Sequence, residues 1–291
     1  MPTELEGLSP RASWRACRAR PERSAHAVAV TGGPIDVTRA DGVVTITLAR
    51  PEALGALSMD LARAFVATVD AAEDDETVRC IVITGTGRAF SAGGDIREFA
   101  AAGERVAEHI AELAGTMHRA IERLAGSDKP VITAVNGVAA GGGLGLALAG
   151  DLVLAAESAR FVMAYRRIAA APDGGSSYFL ARLVGLRRAM ELYLTDRMLS
   201  AQEAREWGLV TRVVADADLA QVTAETARDL AAGPTRAIGM AKRLFRESSG
   251  DLLRSQLASE ARAITESSRT EDFREGIAAF LAKRAPSFRG R

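Results

Sequence analysis

Two glycine-rich stretches, Ala89-Phe-Ser-Ala-Gly-Gly-Asp-Ile96 and Asn136-Gly-Val-Ala-Ala-Gly-Gly-Gly-Leu144, decide how this chain folds and what it can do. Each follows an apolar run that predicts a strand, Val78 to Thr84 and Val131 to Val135. Glycine permits sharp turns and a close approach of backbone to a ligand, which leaves N–H groups without partners. Two converging N–H groups would form an oxyanion hole for negative charge on an acyl oxygen. For one cluster alone, a tight turn is the simpler explanation, and neither cluster has the spacing of a nucleotide-binding loop.

Strand and helix patterns alternate on either side of these stretches. Val43 to Leu48 has the period of two that is typical of a strand, and Ser58 is a candidate N-cap for the helix that follows. An apolar stripe from Val106 to Leu124 predicts a long helix, and Leu152 to Ala155 predicts a short strand. Short apolar strands between helices predict an α/β layered core.

The last third of the chain is predicted to be mainly helical. Ser200 and Glu203 form a capping box that opens a short helix, and Val210 to Val214 predicts a brief strand. Further helices are predicted over Leu219 to Ala231, Thr235 to Arg246, Leu252 to Ser267 and from Thr270 onward.

The first residues differ from the rest of the chain. Residues 1–34 contain five Arg and three Glu among Pro, Ser and Gly, without a clear period. Such a composition predicts a flexible leader, and its glutamates argue against an organelle transit peptide. The expected organisation is therefore a leader over 1–34, an α/β core over 35–230 and a helical region over 231–291.

Composition excludes several classes of function. The chain has 37 Lys and Arg against 37 Asp and Glu, so bulk charge does not favour a nucleic-acid partner. Because the leader carries a charge of +2, the rest of the chain is mildly acidic, at −2. Two Cys and three His without ligand spacing predict neither a disulfide framework nor a metal site. No apolar run is long enough to predict a membrane span. The balanced charge favours a small ligand, and the low cysteine count fits a reducing cytoplasm.

Five motifs in order make the chain similar to a known group. Besides the two glycine stretches, these are Arg50-Pro-Glu-Ala-Leu54, Lys129-Pro-Val-Ile-Thr-Ala-Val-Asn-Gly137 and Glu275-Gly-Ile-Ala-Ala-Phe-Leu-Ala-Lys-Arg284. Together they resemble the crotonase (enoyl-CoA hydratase/isomerase) superfamily over about residues 35–291. The resemblance implies a spiral core of ββα units with a C-terminal helical subdomain, assembled as a trimer or a hexamer. It also implies an acyl-CoA thioester substrate, no separate cofactor, and an oxyanion hole made by the backbone N–H groups of Gly94 and Gly142.

The resemblance also implies where coenzyme A would bind. Ala53 to Ala56 should border the adenine and pantetheine channel, although Gly55 stands where many relatives have Asn. Lys283 is expected either to reach the CoA phosphates of a neighbouring subunit or to be a solvated charge. The substrate-binding set expected on this basis is Ala56, Ala92, Gly93, Asp95, Ile96, Tyr165 and Lys283. Within this set, Asp95 is expected to cap the helix after the first loop.

The two glutamates that hold water in hydratases of this superfamily are absent here. Their positions fall at Gly145 and Tyr165, and a tyrosine hydroxyl, with a reference pKa of about 10, is a poor base near neutral pH. Asp173 remains, in the loop Ala171-Pro-Asp-Gly-Gly-Ser-Ser177. Isomerases of the superfamily carry an Asp at this place, and one carboxylate suffices to move a proton between two carbons. An Asx turn or a helix N-cap is the alternative role for this residue.

His118 is the second catalytic candidate. It lies on the flank of the apolar stripe of the long helix, where it would border either the pocket or solvent, and Glu122 could pair with it. Asp173, His118 and aromatic Tyr165 together resemble the aryl-CoA dehalogenase branch, in which a Trp stands at the position of Tyr165.

Three functions follow from this site. The preferred function is double-bond isomerisation of an enoyl-CoA. The alternatives are a hydratase or a hydrolytic aryl-CoA enzyme, and a noncatalytic CoA-binding or RNA-binding relative.

Overall fold

The computed structural model describes residues 28–30, 32–248, 271, 272, 275, 279, 282, 284 and 286–291. Most of the predicted leader, the predicted helix Leu252 to Ser267, and Lys283 lie outside the described residues.

Two β-sheets form the centre of the described fold. The strands are β1 (Val28–Val30), β2 (Ile35–Ala40), β3 (Val43–Leu48), β4 (Cys80–Gly85), β5 (Ala89–Ser91), β6 (Val131–Val135), β7 (Val138–Ala140), β8 (Leu152–Ala156), β9 (Arg160–Val162), β10 (Leu199–Ser200) and β11 (Arg212–Val214). The larger sheet has the order β1-β2-β3-β4-β6-β8-β11 and the smaller has the order β10-β9-β7-β5. In the larger sheet, β1, β2 and β3 pair antiparallel, whereas the strands from β3 to β11 pair parallel. Parallel pairing requires crossover connections, which matches the predicted α/β core.

Helices pack around both sheets. They are α1 (Met59–Asp74), α2 (Ile96–Ala102), α3 (Val106–Gly126), α4 (Gly142–Leu148), α5 (Ser176–Val184), α6 (Leu186–Thr195), α7 (Ala201–Glu206), α8 (Leu219–Ala231) and α9 (Thr235–Glu247). The two longest, α1 and α3, pack against each other, and α8 lies across β3, β4, β6 and β8. Phe65, Phe90 and Phe161 are among the largest fully buried side chains of the core. No helix among the described residues is long and apolar enough to span a membrane.

The predicted local signals are largely confirmed. Ser58 caps α1, since its Oγ accepts a hydrogen bond from the Leu61 N–H at 3.2 Å. Ser200 and Glu203 form the predicted capping box at the start of α7. The predicted strand Val78 to Thr84 is shifted, because the observed strand runs from Cys80 to Gly85.

The first strand lies inside the segment that we predicted to be a leader. Val28–Val30 pairs antiparallel with β2, with Val28 opposite Arg39 and Val30 opposite Val37. A strand of three residues leaves too short a pattern to predict, and its pairing partner here is the neighbouring strand β2. The described fold therefore includes residues upstream of Ile35.

Candidate active site

The smaller sheet brings the two glycine loops together. The sequence predicted that each glycine loop follows one of the longer strands. In the structure the loops follow two short strands, β5 and β7, which lie within the glycine motifs themselves. These two strands are parallel neighbours, with Ala89 opposite Val138. Since parallel neighbours end at the same edge of a sheet, Gly93-Gly94 and Gly141-Gly142 emerge side by side.

The backbone of each loop requires glycine at its turn. Gly93 has a φ of +87° and Gly141 a φ of +52°, in the left-handed region that other residues rarely adopt. A side chain at Gly93 would also begin 2.8 Å from the Ala140 carbonyl oxygen and 3.3 Å from the Gly142 nitrogen. The loops are thus in direct contact, with no room for a side chain between them.

Two backbone N–H groups at this contact have no hydrogen-bond partner among the described residues. The Gly93 N–H donates to Ser91 Oγ and the Gly141 N–H to the Val162 carbonyl, but those of Gly94 and Gly142 donate to no described group. Gly142 opens α4, where the first N–H groups of a helix have no partner within the helix. Unpaired donors beside a cavity are the elements of an oxyanion hole.

Both glycines line a largely apolar cavity of about 500 Å³. Its wall is formed by the first glycine loop and α2, the middle of α3, the second glycine loop, and the segment from Ala164 to Gly174. Apolar side chains in this wall are Leu57, Ile96, Phe99, Ile110, Leu113, Met117, Ile121 and Ile168. A volume of this size suits the acyl part of a substrate rather than a whole coenzyme.

Asp173 is the carboxylate that lines this cavity. A side chain built at Gly142 would begin 3.6 Å from Asp173 Oδ1, which places the carboxylate close to one of the two unpaired N–H donors. The Tyr165 hydroxyl donates to Asp173 Oδ1 at 2.8 Å, and Oδ2 has no partner among the described residues. Asp173 is therefore held by one oxygen, and its other oxygen is available to a ligand.

Tyr165 is suited to remain a donor. It is 8% exposed, and burial, together with the negative charge of Asp173, raises the pKa of its hydroxyl above the usual value. Ser176 Oγ lies 3.3 Å from the Tyr165 hydroxyl and donates to the Asp173 carbonyl oxygen at 2.7 Å. The predicted Asx turn or N-cap at Asp173 is not observed, since its carboxylate contacts Tyr165 and the residue that caps α5 is Gly175.

The position of the first hydratase glutamate is filled by backbone. A Cβ at Gly145 would lie 2.1 Å from the Gly174 carbonyl oxygen and 2.8 Å from its carbon. Any side chain there would have to displace the loop that carries Asp173. The absence of a glutamate at residue 145 is thus coupled to the presence of this loop.

His118 contacts the same loop from the other side. The Gly174 N–H donates to His118 Nε2 at 3.1 Å, and the imidazole is half-buried. No ion pair joins His118 to Glu122 within the described part of the chain, and Glu122 is exposed. Of the two orientations that the sequence left open, the ring is turned toward the Asp173 loop and not toward Glu122.

The other predicted site residues separate into three groups. Those that line the cavity are Ala92, Gly93, Ile96 and Tyr165. Ala56 and Asp95 are buried outside it: the Ala56 carbonyl accepts from Arg50, while Asp95 forms an ion pair with Arg50 and caps α2 through the Arg97 N–H. The capping role predicted for Asp95 is confirmed. Lys283 lies outside the described residues.

Several cavity residues were not predicted from the sequence. Met117 and Ile121 belong to the stripe assigned to the core, and Phe99 and Arg167 carried no motif. The apolar stripe of α3 could have indicated Met117 and Ile121 as cavity residues, because the face of α3 that packs inward also continues into the cavity wall. Arg167 is paired with Asp196, so it does not present a free charge to the cavity.

An α/β spiral with paired oxyanion donors and a carboxylate in an acyl-sized cavity defines an acyl-CoA-processing enzyme of the crotonase superfamily. The chain belongs to the enoyl-CoA hydratase/isomerase family, whose sequence profile matches residues 38–291. The family acts on acyl-CoA thioesters.

Individual relatives carry different activities in their names. The chain is 41% identical over 251 residues to a 1,2-epoxyphenylacetyl-CoA isomerase from Escherichia coli (strain K12), covering 86% of this chain and 96% of that one. It is 40% identical over 250 residues to 4-chlorobenzoyl coenzyme A dehalogenase-2 from an Arthrobacter species, covering 86% and 91%. Among solved structures, an enoyl-CoA hydratase from Polaromonas sp. JS666 matches with a TM-score of 0.82 at 35% identity, covering 90% of this chain and 99% of that one. The fold prediction is confirmed, and the names leave the reaction open between isomerisation, hydration and dehalogenation.

Proposed function

We propose that this enzyme shifts a double bond in an enoyl-CoA, with Asp173 as its single proton carrier. The proposal rests on one observation. A carboxylate with only one of its two oxygens hydrogen-bonded lies in the same cavity as two backbone N–H groups that have no partner among the described residues. That arrangement supplies a base and an oxyanion hole, which are the two requirements of a proton shift next to a thioester.

The reaction begins with the thioester carbonyl oxygen between the N–H groups of Gly94 and Gly142. Asp173 Oδ2 removes a proton from one carbon, and the electron pair moves through the double bond onto the thioester oxygen as a dienolate. The two N–H groups stabilise this negative charge, and removing one such donor typically costs about 3 kcal/mol of barrier. Asp173 then returns the proton to the carbon two positions away, so the double bond moves and no atom is gained or lost.

Tyr165 supports this cycle from outside the substrate. Its hydroxyl donates to Asp173 Oδ1, so Oδ2 is the carboxylate oxygen that this hydrogen bond leaves unoccupied. Because its pKa is raised, Tyr165 is not expected to exchange its own proton during the reaction.

Hydration through a glutamate pair is disfavoured by the same site. Residue 145 has no space for a carboxylate, and residue 165 is a tyrosine that already binds Asp173. A hydratase would need Asp173 alone to position and activate water.

Hydrolysis of a halogenated aryl-CoA is the second candidate, since a named dehalogenase is among the similar relatives. It would use Asp173 to attack the ring and a base to activate water. His118 is the nearby imidazole, but its Nε2 accepts the Gly174 N–H and is not available for water in this arrangement.

Further expectations accompany the proposal. We expect a homotrimer or hexamer in the cytoplasm that needs no cofactor beyond the coenzyme A of its substrate. Sedimentation would test the assembly. A salt-dependent shift of labelled RNA, or tight CoA-thioester binding without turnover, would support the noncatalytic alternatives instead.

Product mass separates the candidate reactions. Wild-type enzyme is incubated with 2-enoyl-, 3-enoyl- and 4-halobenzoyl-CoA, and the products are analysed by mass spectrometry and ultraviolet absorbance. The proposal predicts conversion between 2-enoyl and 3-enoyl thioesters at constant mass. Addition of water as the main reaction would identify a hydratase, and exchange of halide for hydroxyl would identify a dehalogenase.

A further inference from the structure

His118 contacts the catalytic loop through a single hydrogen bond that fixes its chemical state. The Gly174 N–H donates to His118 Nε2 at 3.1 Å, so Nε2 must carry a lone pair and the ring proton must reside on Nδ1. Gly174 is buried and directly follows Asp173 in the chain. The imidazole is therefore an acceptor for the backbone on which the carboxylate depends.

The other described hydrogen bonds to this loop come from backbone N–H and hydroxyl groups. The Ser176 N–H and Oγ both bind the Asp173 carbonyl, and the Tyr165 hydroxyl, with its raised pKa, binds the carboxylate. The Gly174 carbonyl packs against Gly145 of α4 without space for movement toward it. Among the described residues, His118 is thus the one imidazole that contacts the loop.

From this geometry we infer that His118 is a positioning residue, whose neutral imidazole holds the Gly174 N–H so that Asp173 stays aligned with the oxyanion hole. The inference rests on the proposed function of Asp173 and assigns His118 no contact with the substrate. It differs from a role as general base, which would need the Nε2 lone pair for water or substrate.

Protonation of His118 would break this contact. An imidazolium carries N–H groups on both nitrogens, so Nε2–H would face the Gly174 N–H and two donors would oppose each other. The loop would then have to move, or the buried Gly174 N–H would lose its acceptor.

Charged groups also lie on the elements around His118. Arg119 and Glu122 lie on the same helix, Asp173 on the loop and Arg182 on α5. On the α1 side of α3, Arg63 pairs with Glu112, and Arg123 pairs with Asp70 and Asp74. No ion pair to His118 is present within the described ranges, so its hydrogen bond to Gly174 is the contact that protonation changes.

Two substitutions distinguish an acceptor from a base. In His118→Gln the amide oxygen can accept the Gly174 N–H where Nε2 did, and it does not titrate. In His118→Leu the acceptor is lost at similar bulk. We expect kcat of His118→Gln to stay within about threefold of wild type, and kcat of His118→Leu to fall about tenfold or more with KM within about twofold. Glu122→Gln is the matched control on the same helix and should leave both constants unchanged.

Rescue by the conservative variant provides a readout that a merely structural residue would not move. The rate that His118→Leu loses should be retained in His118→Gln, because the Gln side chain keeps an acceptor for the Gly174 N–H. Equal loss of activity in the Gln and Leu variants would overturn the inference.

The tautomer can be measured without turnover. The chain has three histidines, so ¹⁵N-histidine labelling gives three ring systems, and His118→Gln identifies the one in question. The inference predicts a neutral His118 with its proton on Nδ1, and an Nε2–H tautomer near pH 8 would contradict it. If no enoyl-CoA is isomerised, the proposed function fails, while this spectrum still decides the state of His118.

Discussion

Gly145→Ala tests most sharply the idea that the Asp173 loop replaces a side chain at this position. The added Cβ would lie 2.1 Å from the Gly174 carbonyl oxygen, 2.8 Å from the Gly174 carbon and 3.1 Å from the Ser176 nitrogen. Ordinary contacts begin at 3.4 Å, so the loop must withdraw by about 1.3 Å, the difference between 3.4 and 2.1 Å. All three atoms are backbone, and they cannot turn aside as a side chain would.

A displacement of this size is large for a catalytic carboxylate. A misplacement of about 1 Å can cost about 100-fold in rate, so we expect kcat to fall roughly 100-fold. Overpacking in a core typically costs about 1–3 kcal/mol of stability, partly offset here because Ala favours a helix over Gly by about 0.5–1 kcal/mol. The binding of a saturated acyl-CoA should change less, since the glycine loops that approach the thioester do not move.

Gly115→Ala is the matched control. Gly115 lies in the middle of α3 with no atom within 4 Å of a built Cβ, so the same substitution should stabilise the fold by about 0.5–1 kcal/mol and leave kcat unchanged. Isomerase kinetics, calorimetric binding of the saturated thioester and urea unfolding give the three quantities. If Gly145→Ala were as stable as Gly115→Ala with kcat within threefold of wild type, the coupling between residue 145 and the Asp173 loop would be refuted.

Three further predictions concern single contacts. Tyr165→Phe removes the hydrogen bond to the Asp173 carboxylate, so kcat should fall about 10- to 100-fold, and a kcat within twofold of wild type would exclude a role of Tyr165 in holding Asp173. Because burial raises the pKa of Tyr165, the wild-type enzyme should lose no rate through ionisation of this hydroxyl below pH 10. The pKa of Glu203 is lowered to about 2 from the ordinary 4.5. The largest cause is the hydrogen bond that the Ser200 backbone N–H donates to the carboxylate, and the next is the hydrogen bond from Arg197. A depressed carboxylate pKa adds stability above pH 4.5 that is lost as the pH falls toward 2. The difference in free energy of unfolding between wild type and Glu203→Gln, measured in urea, should therefore disappear over that range. A difference that persisted at pH 2 would contradict the depressed pKa of Glu203. Burial raises the pKa of the Cys80 thiol to about 12. In the Cys17→Ser variant, a disulfide reagent at pH 8 should therefore label Cys80 only after denaturation. Rapid labelling of the native variant would show instead that the thiol is accessible.

The sequence predicts most of the larger sheet and its helices because their signals are local. The strand Val131–Val135 and the helix Leu219–Ala231 have the predicted bounds, since a wholly apolar run and a regular stripe each span the full element. The cap at Ser58 and the capping box at Ser200 are likewise encoded within three residues. The strands of the smaller sheet have two or three residues each, which is too few for a period, and the pairing of β5 with β7 depends on the fold around them.

In the candidate site, too, local features could be predicted from the sequence, whereas contacts between distant residues could not. The glycine loops and the missing glutamates could be found by motif, but the contacts that make Asp173 usable join residues distant in the chain. Tyr165 lies in the short helical turn Tyr165–Ile168 and meets Asp173 eight residues further on, while His118 meets Gly174 across 56 residues. On a helical wheel, His118 lies at the edge of the stripe and could equally face solvent, so only tertiary packing decides its partner.

In the proposed reaction, one carboxylate, that of Asp173, transfers the proton. Asp173→Asn keeps the shape of the side chain and an oxygen that can accept from Tyr165, while removing the base. We expect the rate of interconversion between 3-enoyl-CoA and 2-enoyl-CoA to fall about 100- to 10,000-fold, while binding of a saturated acyl-CoA stays within a few fold of wild type. Isomerisation at the wild-type rate in Asp173→Asn would show that Asp173 does not carry the proton.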